Sequence, residues 1–255
     1  MRIIVFGNVP LASWLIERLC TSELELVGVV CDEYDENAFA HHGMNYPSAN
    51  AMCERLAISK ISFDEAHALA QNSEVLGMSV RYHRLFKRQY FESFTPGIIN
   101  FHGGELPRFR GTNIANHAIL QGVERGAGTL HYIDDGVDQG DVVFREFFDV
   151  APEWTAFDYF TQTIEALQIA ASKLITVIEN DQPIPRVSQE YFIQQLGESA
   201  REYKRRELEP LKKVAVADVL NCGVRRKVRA FTFGNHSGAY FEEEGERFLL
   251  SKVLP

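Results

Sequence analysis

Short apolar runs alternate with helical patterns along the first part of the chain. Continuous apolar runs predict buried strands at 2–6, 24–31, 58–61, 75–80 and 97–101. Apolar residues spaced three or four apart predict helices at 11–20, 49–56, 64–71 and 87–91. Strands and helices that alternate in this way favour the α/β class, with a doubly wound and mainly parallel sheet.

The second part of the chain predicts fewer elements of this kind. Further elements are expected as a helix at 114–121, strands at 126–133 and 142–148, and a long helix that starts near Thr155. Beyond 186 the sequence becomes rich in charge and tyrosine, with a helix expected at 214–220 and an alternating pattern at 238–254 typical of a β-hairpin. We predict a domain over 1–185 and a small C-terminal α+β segment over 186–255.

Composition narrows the function classes. The chain has 255 residues, of which 45% are hydrophobic and 24% charged, as in ordinary globular proteins. The net charge of −9 argues against a general nucleic-acid-binding role. No run approaches the roughly 20 apolar residues that span a bilayer. The four cysteines lack zinc-ligand spacing, so we expect reduced thiols, no metal and a cytoplasmic protein.

The stretch 98–111 carries the strongest candidate chemistry. Asn100 and His102 lie two residues apart at the end of a predicted strand, so their side chains project from the same face. Gly103-Gly104 follows at once. Active sites of α/β proteins are often found where a strand opens into such a loop. The alternative is a buried pair that only satisfies the backbone of the loop.

An acid-rich loop follows the next predicted strand. Residues 134–141 contain four aspartates and two glycines, although their spacing does not match an EF-hand. If both strands end at one edge of the sheet, an acid from this loop meets Asn100 and His102. An amide can stabilise an oxyanion, an imidazole can accept a proton from an amine, and a carboxylate can orient that imidazole. These groups fit acyl transfer to an amine, or hydrolysis with water as the acceptor.

The motifs together resemble a known family. Asn100-x-His102, then Leu106-Pro107-x-Phe109-Arg110-Gly111, and later Asp138-x-Gly140-Asp141, are similar to the folate-dependent formyltransferases. The resemblance implies a Rossmann-like fold and N10-formyltetrahydrofolate as co-substrate. It implies catalytic roles for Asn100, His102 and Asp138, although a turn-capping role is the alternative for Asp138. Gly104-Glu105 departs from the family's usual Ser-Leu.

The same resemblance implies binding residues. Two segments would hold the pterin largely through their main chain, namely Met78, Ser79, Val80, Arg81, Tyr82 and His83, and Ile133, Asp134, Asp135 and Gly136. Candidates for the acceptor substrate are Glu105, Pro107, Arg108, Arg110, Thr112 and Asn113. The basic run 225–229 is either a solvated helix face or a further anion contact.

One branch of the family fits the chain best. The sequence Arg110-Gly111-Thr112-Asn113, the element 203–208 and the aromatic segment 231–241 resemble enzymes that formylate nucleotide-linked amino sugars. The implied acceptor is a 3- or 4-amino dideoxy sugar on dTDP, with GDP as the alternative carrier, made for surface polysaccharide such as O-antigen. Methionyl-tRNA formylation and formyltetrahydrofolate hydrolysis remain open.

The terminal hairpin is the candidate partner surface. We expect a homodimer that pairs through 238–254, with no nucleic acid and no membrane as partner. The alternative is a hairpin that packs on its own chain.

Overall fold

The computed structural model describes residues 1–32, 44–234 and 238–251. The strands are β1 (Arg2–Phe6), β2 (Glu25–Val30), β3 (Leu76–Ser79), β4 (Gly97–His102), β5 (Arg110–Gly111), β6 (Arg125–Tyr132), β7 (Val142–Asp149), β8 (Glu202–Tyr203), β9 (Ala239–Glu243) and β10 (Glu246–Leu250). The α-helices are α1 (Pro10–Cys20), α2 (Ala49–Leu56), α3 (Phe63–Asn72), α4 (Arg88–Phe91), α5 (Ile114–Gln121), α6 (Ala156–Glu179), α7 (Gln189–Leu196), α8 (Arg205–Leu211) and α9 (Cys222–Ala230).

The central sheet has the order β2-β1-β3-β4-β6-β7. Strands β2, β1, β3 and β4 are mutually parallel, and β6 and β7 run antiparallel to their neighbours. The predicted α/β fold with a mainly parallel, Rossmann-like sheet is therefore confirmed. Among the described residues, no helix is both long and apolar enough to span a membrane.

Helices cover both faces of the sheet, which explains why its first strands are apolar throughout. Alternate residues of β1 pack into different clusters because successive side chains of a strand point to opposite faces. Ile3 and Val5 pack in the core that includes α1 and α6, whereas Ile4 and Phe6 pack on the side of α3 and α4. Burial on both sides removes the polar positions that a one-sided strand would show.

The direction of β6 corrects one step of the sequence argument. Because β6 is antiparallel to β4, Tyr132 at its end pairs with Ile99 in the first half of β4, and His102 pairs with Thr129. The sequence argument assumed that the loop 133–141 leaves the sheet at the carboxyl edge of β4. The antiparallel direction of β6 shows that it does not. It folds back, closed by a backbone hydrogen bond of 2.8 Å from Tyr132 N to Asp141 O.

Two local predictions were wrong, and two helices were not predicted. The expected strand at 58–61 is a single parallel bridge between Val29 and Lys60. The expected helix at 214–220 is only a 3-10 turn over Val216–Asp218, because Val214 is held in backbone pairing with Tyr240. Helices α7 and α8 occupy the charged stretch in which no helix was predicted, and α8 buries none of its residues, so it has no apolar periodicity to detect.

The C-terminal segment is joined to the site-bearing part by backbone pairing. β8 pairs in parallel with β5, so that Arg110 lies opposite Glu202 and Gly111 opposite Tyr203. In the terminal hairpin, Ala239 and Tyr240 are buried against the same chain, while Phe248 and Leu249 are exposed. A domain boundary near residue 185 remains a prediction.

Candidate active site

The end of β4 carries the predicted polar pair. Asn100 is half-buried and lies in register with Ser79 of β3 and His131 of β6. His102 is buried at the last position of the strand. Both side chains therefore lie among the central strands, where apolar packing on both faces of the sheet fixes the backbone.

Asp138 reaches this pair from the folded-back loop. Its Oδ2 lies 3.3 Å from His102 Nδ1 and accepts a hydrogen bond of 2.8 Å from the backbone N–H of Gly111. The backbone of Asp138 is left-handed, with φ of 51°. Aspartate is one of the few residues that enter this region readily. The structure thus brings Asn100, His102 and Asp138 together in one cluster.

His131 belongs to the same cluster and was missed in the sequence. Its Nε2 lies 3.3 Å from Asp138 Oδ1 and 3.2 Å from Asn100 Nδ2, and its Nδ1 lies 2.9 Å from the carbonyl oxygen of Tyr132. The sequence signal that could have indicated His131 is a histidine within a predicted buried strand. Its proximity to Asn100, however, follows from the antiparallel register of β6, which the sequence does not show.

Both ring nitrogens of His102 face oxygen atoms that can accept a hydrogen bond. His102 Nε2 lies 2.6 Å from the carbonyl oxygen of Phe109, and Nδ1 faces Asp138. A neutral imidazole has one N–H and can donate to only one of these oxygens, whereas an imidazolium donates to both. A proton that His102 accepts therefore gains a hydrogen-bond partner at once.

Burial and charge act in opposite directions on the pKa values of this cluster. Burial lowers the pKa of His102 below its ordinary value, and the nearby Asp138 carboxylate partly offsets this effect. Burial alone would raise the pKa of Asp138, but the charge of His102 and the hydrogen bond from His131 hold it below its usual range. At neutral pH the cluster thus combines an ionised carboxylate with a neutral imidazole.

The two predicted pterin-binding segments leave the strands on either side of β4. Met78, Ser79 and Val80 are buried, so their side chains are not available to a ligand, and Val80 N donates to Phe6 O at 2.8 Å. Arg81 follows in a left-handed conformation, with φ of 52°, and is exposed. The buried residues of this segment can therefore offer a ligand only backbone groups, whereas the side chains of Arg81 and His83 are exposed.

Tyr82 and His83 face an acid at the end of β2. Tyr82 Oη donates to Asp32 Oδ2 at 2.8 Å, His83 Nε2 lies 3.8 Å from the same oxygen, and Arg84 Nε lies 3.1 Å from it. These contacts fix the loop after β3.

On the other side of β4, the start of loop 133–141 is held by its own contacts. Ile133 N donates to Ile98 O at 2.8 Å, and Gly136 N donates to Asp134 Oδ1 at 3.0 Å. Asp135 forms an ion pair with Arg88 of α4. The side chains of Asp134 and Asp135 thus stabilise the loop and its surroundings.

The predicted substrate residues differ in how far they are exposed to solvent. Glu105 and Pro107 are buried, and Glu105 Oε1 accepts from Arg125 Nη2 at 2.8 Å. Arg108 is partly exposed, with its guanidinium 5.1 Å from the centre of the Phe109 ring. Arg110 is held by Gln189 through two hydrogen bonds of 2.9 and 2.8 Å. Thr112 is exposed and Asn113 half-buried.

The basic run 225–229 lies on α9. Arg225 and Arg226 are exposed, whereas Val228 packs into the core beside α5. Lys227 Nζ donates to the carbonyl oxygen of Lys213 at 2.9 Å. Arg225 and Arg226 thus lie on a solvated face of α9, and a further anion contact by the run stays a prediction.

Comparison with known proteins identifies the family. The family model described as "Formyl transferase" matches residues 1–175, which include β1 to β7 and every member of the Asn100 cluster. The chain belongs to the formyl transferase family. The family predicted from the Asn-x-His motif and the later Asp-x-Gly motif is thereby confirmed.

Relatives of this formyl transferase differ in how much of their length it covers. It is 27% identical over 185 residues to the methionyl-tRNA formyltransferase of Desulfotalea psychrophila, an alignment that covers 70% of this chain and 56% of that protein. The chain thus spans little more than half the length of that relative. It is 24% identical over 244 residues to the GDP-perosamine N-formyltransferase of Brucella melitensis, which covers 92% of this chain and 88% of that one.

The fold is also found in solved structures. The N-formyltransferase of Helicobacter canadensis, described in complex with folinic acid and dTDP-3-aminofucose, superposes with a TM-score of 0.75 at 19% identity. The match covers 95% of this chain and 84% of that one. The superposed part includes the sheet and most of the C-terminal segment, so both have a similar arrangement in the two structures.

Proposed function

We propose that this chain transfers the formyl group of N10-formyltetrahydrofolate to the amine of a nucleotide-linked 3- or 4-amino dideoxy sugar. The observation that carries the proposal is the cluster at the end of β4. It supplies an amide donor in Asn100, a base in His102 and a buried carboxylate in Asp138, 3.3 Å from that base. Acyl transfer to an amine needs these three functions.

The reaction can be written from these groups. The sugar amine attacks the formyl carbon, and the carbonyl oxygen becomes an oxyanion that accepts a hydrogen bond from the Asn100 amide. His102 takes the proton of the amine, and Asp138 and the Phe109 carbonyl stabilise the resulting imidazolium. The bond from the formyl carbon to N10 then breaks, and His102 returns the proton to N10. The products are the formamide and tetrahydrofolate.

Binding of the folate is proposed for the two segments beside β4. Residues 78–83 and 133–136 leave the strands that flank Asn100, and the first of these segments offers mainly backbone groups. Backbone N–H and C=O groups suit the donor and acceptor edges of a pterin. The description of the Helicobacter canadensis structure, with folinic acid bound, supports a folate in this fold.

An amino sugar is favoured over tRNA as the acceptor. The alignment with the GDP-perosamine enzyme covers nearly the whole of both chains, whereas that with the methionyl-tRNA enzyme covers 56% of the latter. The net charge of −9 also disfavours a polyanionic nucleic acid. We propose dTDP as the first carrier to test and GDP as the second, in a cytoplasmic reaction that supplies surface polysaccharide.

The acceptor is tested by one incubation. Purified chain and N10-formyltetrahydrofolate are mixed with dTDP- and GDP-linked 3- and 4-amino sugars, or with methionyl-tRNA, and the products are read by mass. We expect one sugar to gain a single formyl group. Formylation of methionyl-tRNA alone, or release of formate without an acceptor, would replace the proposal by one of the two alternatives.

The proposed homodimer uses the outer strand of the hairpin. Phe248 and Leu249 are 40% and 66% exposed on β10, whose free edge can pair with another strand. The cross-strand pairs place Tyr240 and Leu249 on one face of the hairpin, and Phe248 and Leu250 on the other. Leu249→Glu should reduce the mass measured by light scattering to that of a monomer. The control Glu246→Lys should not, and an unchanged dimer in Leu249→Glu would exclude this surface.

A further inference from the structure

Gln189 is a buried amide whose contacts all reach toward the candidate site. It is the first residue of α7, is only 3% exposed, and lies outside residues 1–175 of the family match. Its Oε1 accepts from Arg110 Nε and Nη2 at 2.9 and 2.8 Å. Its Nε2 donates to the carbonyl oxygens of Asp138 and Gly140 at 2.8 and 2.9 Å.

These four bonds use the full hydrogen-bonding capacity of the amide. A primary amide has two acceptor sites on oxygen and two N–H donors. Arginine only donates and carbonyl oxygens only accept, so the orientation of the Gln189 side chain is chemically fixed. Neither a carboxylate nor an ammonium group can replace it, because each lacks one of the two functions.

The local structure places Gln189 where it can make these bonds. Val187 pairs with Val142 at the start of β7 through backbone hydrogen bonds of 2.8 and 2.9 Å. Ser188 then caps α7, its side chain accepting from Glu190 N at 3.2 Å. Residue 189 is therefore fixed beside the point at which loop 133–141 enters β7.

The loop that Gln189 holds is the one that presents Asp138. The Asp138 side chain is tied to His102 and to Gly111 N, but its left-handed backbone needs support from elsewhere. Gln189 supplies it at the carbonyls of Asp138 and Gly140. The Arg110 guanidinium, bound to the same amide, adjoins Gly111 and so ties together the two segments that meet at the Asp138 carboxylate.

We propose that Gln189 is a positioning residue for Asp138, linking the C-terminal segment to the geometry of the His102–Asp138 pair. This inference rests on the proposed formyl transfer for its kinetic consequence only. Without Gln189 the carboxylate moves relative to His102, and the orientation and charge stabilisation of the imidazole weaken. Asn100 and His102 themselves are not changed, whereas Arg110 loses the acceptor of two hydrogen bonds.

The test compares three variants of the full chain. Gln189→Met keeps the size and removes all four hydrogen bonds. Gln189→Glu keeps the acceptor for Arg110 but places an oxygen against the two carbonyls, so it retains one half of the link. Gln195→Met makes the same chemical change at an exposed position of α7 and is the control.

The first readout needs no substrate. The His102 imidazole is titrated by NMR, with its signal assigned by comparison with His102→Asn. Because the Asp138 charge raises the pKa of His102, displacement of the carboxylate should move the titration to lower pH in Gln189→Met, which introduces no charge of its own. Hydrogen exchange at the Gly111 amide, which donates to Asp138, should become faster. Gln195→Met should match the wild type in both measurements.

The second readout is turnover. We expect kcat to fall by about 10–100-fold in Gln189→Met and in Gln189→Glu, the size typical of a displaced supporting residue. If the wild type formylates no acceptor, the proposed function fails while the titration still tests Gln189. An unchanged His102 titration with unchanged Gly111 exchange in a folded Gln189 variant would overturn the positioning role.

Discussion

Asp138 and Glu105 are two largely buried carboxylates near the segment that follows β4, and they differ in their partners. Asp138 lies between the imidazoles of His102 and His131, with its side chain 15% exposed. Glu105, with its side chain 4% exposed, is paired with the guanidinium of Arg125, which is itself 56% exposed. An imidazole changes its charge near neutral pH, whereas a guanidinium does not.

In the proposed mechanism, this difference separates a reactive acid, Asp138, from a structural one, Glu105. Asp138 can respond to a proton that arrives on His102, because the two groups are coupled by charge and hydrogen bonding. Glu105 meets a permanent cation, and its Oε2 has no hydrogen-bond partner among the described residues. Burial of a carboxylate alone therefore does not distinguish the two acids, whereas the chemistry of their partners does.

Among substitutions of these two acids, removal of the Asp138 charge should reduce formyl transfer most. Asp138→Asn keeps the shape of the side chain but loses the charge that orients and stabilises the His102 imidazolium. We expect kcat for formyl transfer to fall by about 10²–10⁴-fold. Glu105→Gln, the same chemical change at the other acid, should cost less than about tenfold in the same assay. Comparable losses in the two variants would contradict the distinction.

The pH dependence should separate the two acids as well. Transfer needs neutral His102, so the rate should fall toward acidic pH as the imidazole is protonated. Burial lowers the pKa of His102, so this fall should begin below the pH at which a free histidine titrates. Because the Asp138 charge raises that pKa, Asp138→Asn should move the acid limb of kcat/KM to still lower pH.

The matched Glu105→Gln variant should leave the acid limb where it is in the wild type. Rate profiles between pH 4 and 8, measured for all three proteins, test this comparison. A shift of the limb to higher pH in Asp138→Asn would mean that the carboxylate does not act on His102.

The smallest effect is expected on stability. Replacement of Glu105 by leucine removes a buried charge whose Oε2 has no hydrogen bond among the described residues. The two arginines left behind, Arg125 and Arg108, are both well exposed. Such an exchange is often neutral or stabilising, so we expect Glu105→Leu to raise the free energy of unfolding by about 1 kcal/mol. Urea unfolding measures it. A loss of more than about 2 kcal/mol would show that the ion pair stabilises the fold.

What the sequence could predict depends on whether the signal is local. The buried strands were found because apolar runs mark burial on both faces, and Asn100 and His102 were found because residues two apart share a face of one strand. His131 was missed because its place beside Asn100 depends on the antiparallel register of β6. The direction of a strand leaves no local pattern in its own residues.

Other features could not be predicted because they depend on residues far apart in the chain or lack an apolar pattern. Gln189 contacts Asp138 across 51 positions, and no short motif announces such a contact. Helix α8 buries none of its residues, so no apolar period could show it. Glu105 was predicted to contact substrate but is turned into the protein, where Arg125 binds it. Whether a side chain faces a ligand or the interior is decided by packing.

The most direct test of the account is a comparison of formyl transfer by the wild-type chain and by His102→Asn. Both proteins are incubated with N10-formyltetrahydrofolate and the amino sugar that the panel identifies, and the formylated product is counted by mass. Binding of the nucleotide sugar is measured separately by calorimetry. We expect transfer by the wild type, and binding without transfer by His102→Asn. Turnover by His102→Asn near that of the wild type would contradict the assignment of His102 as the base.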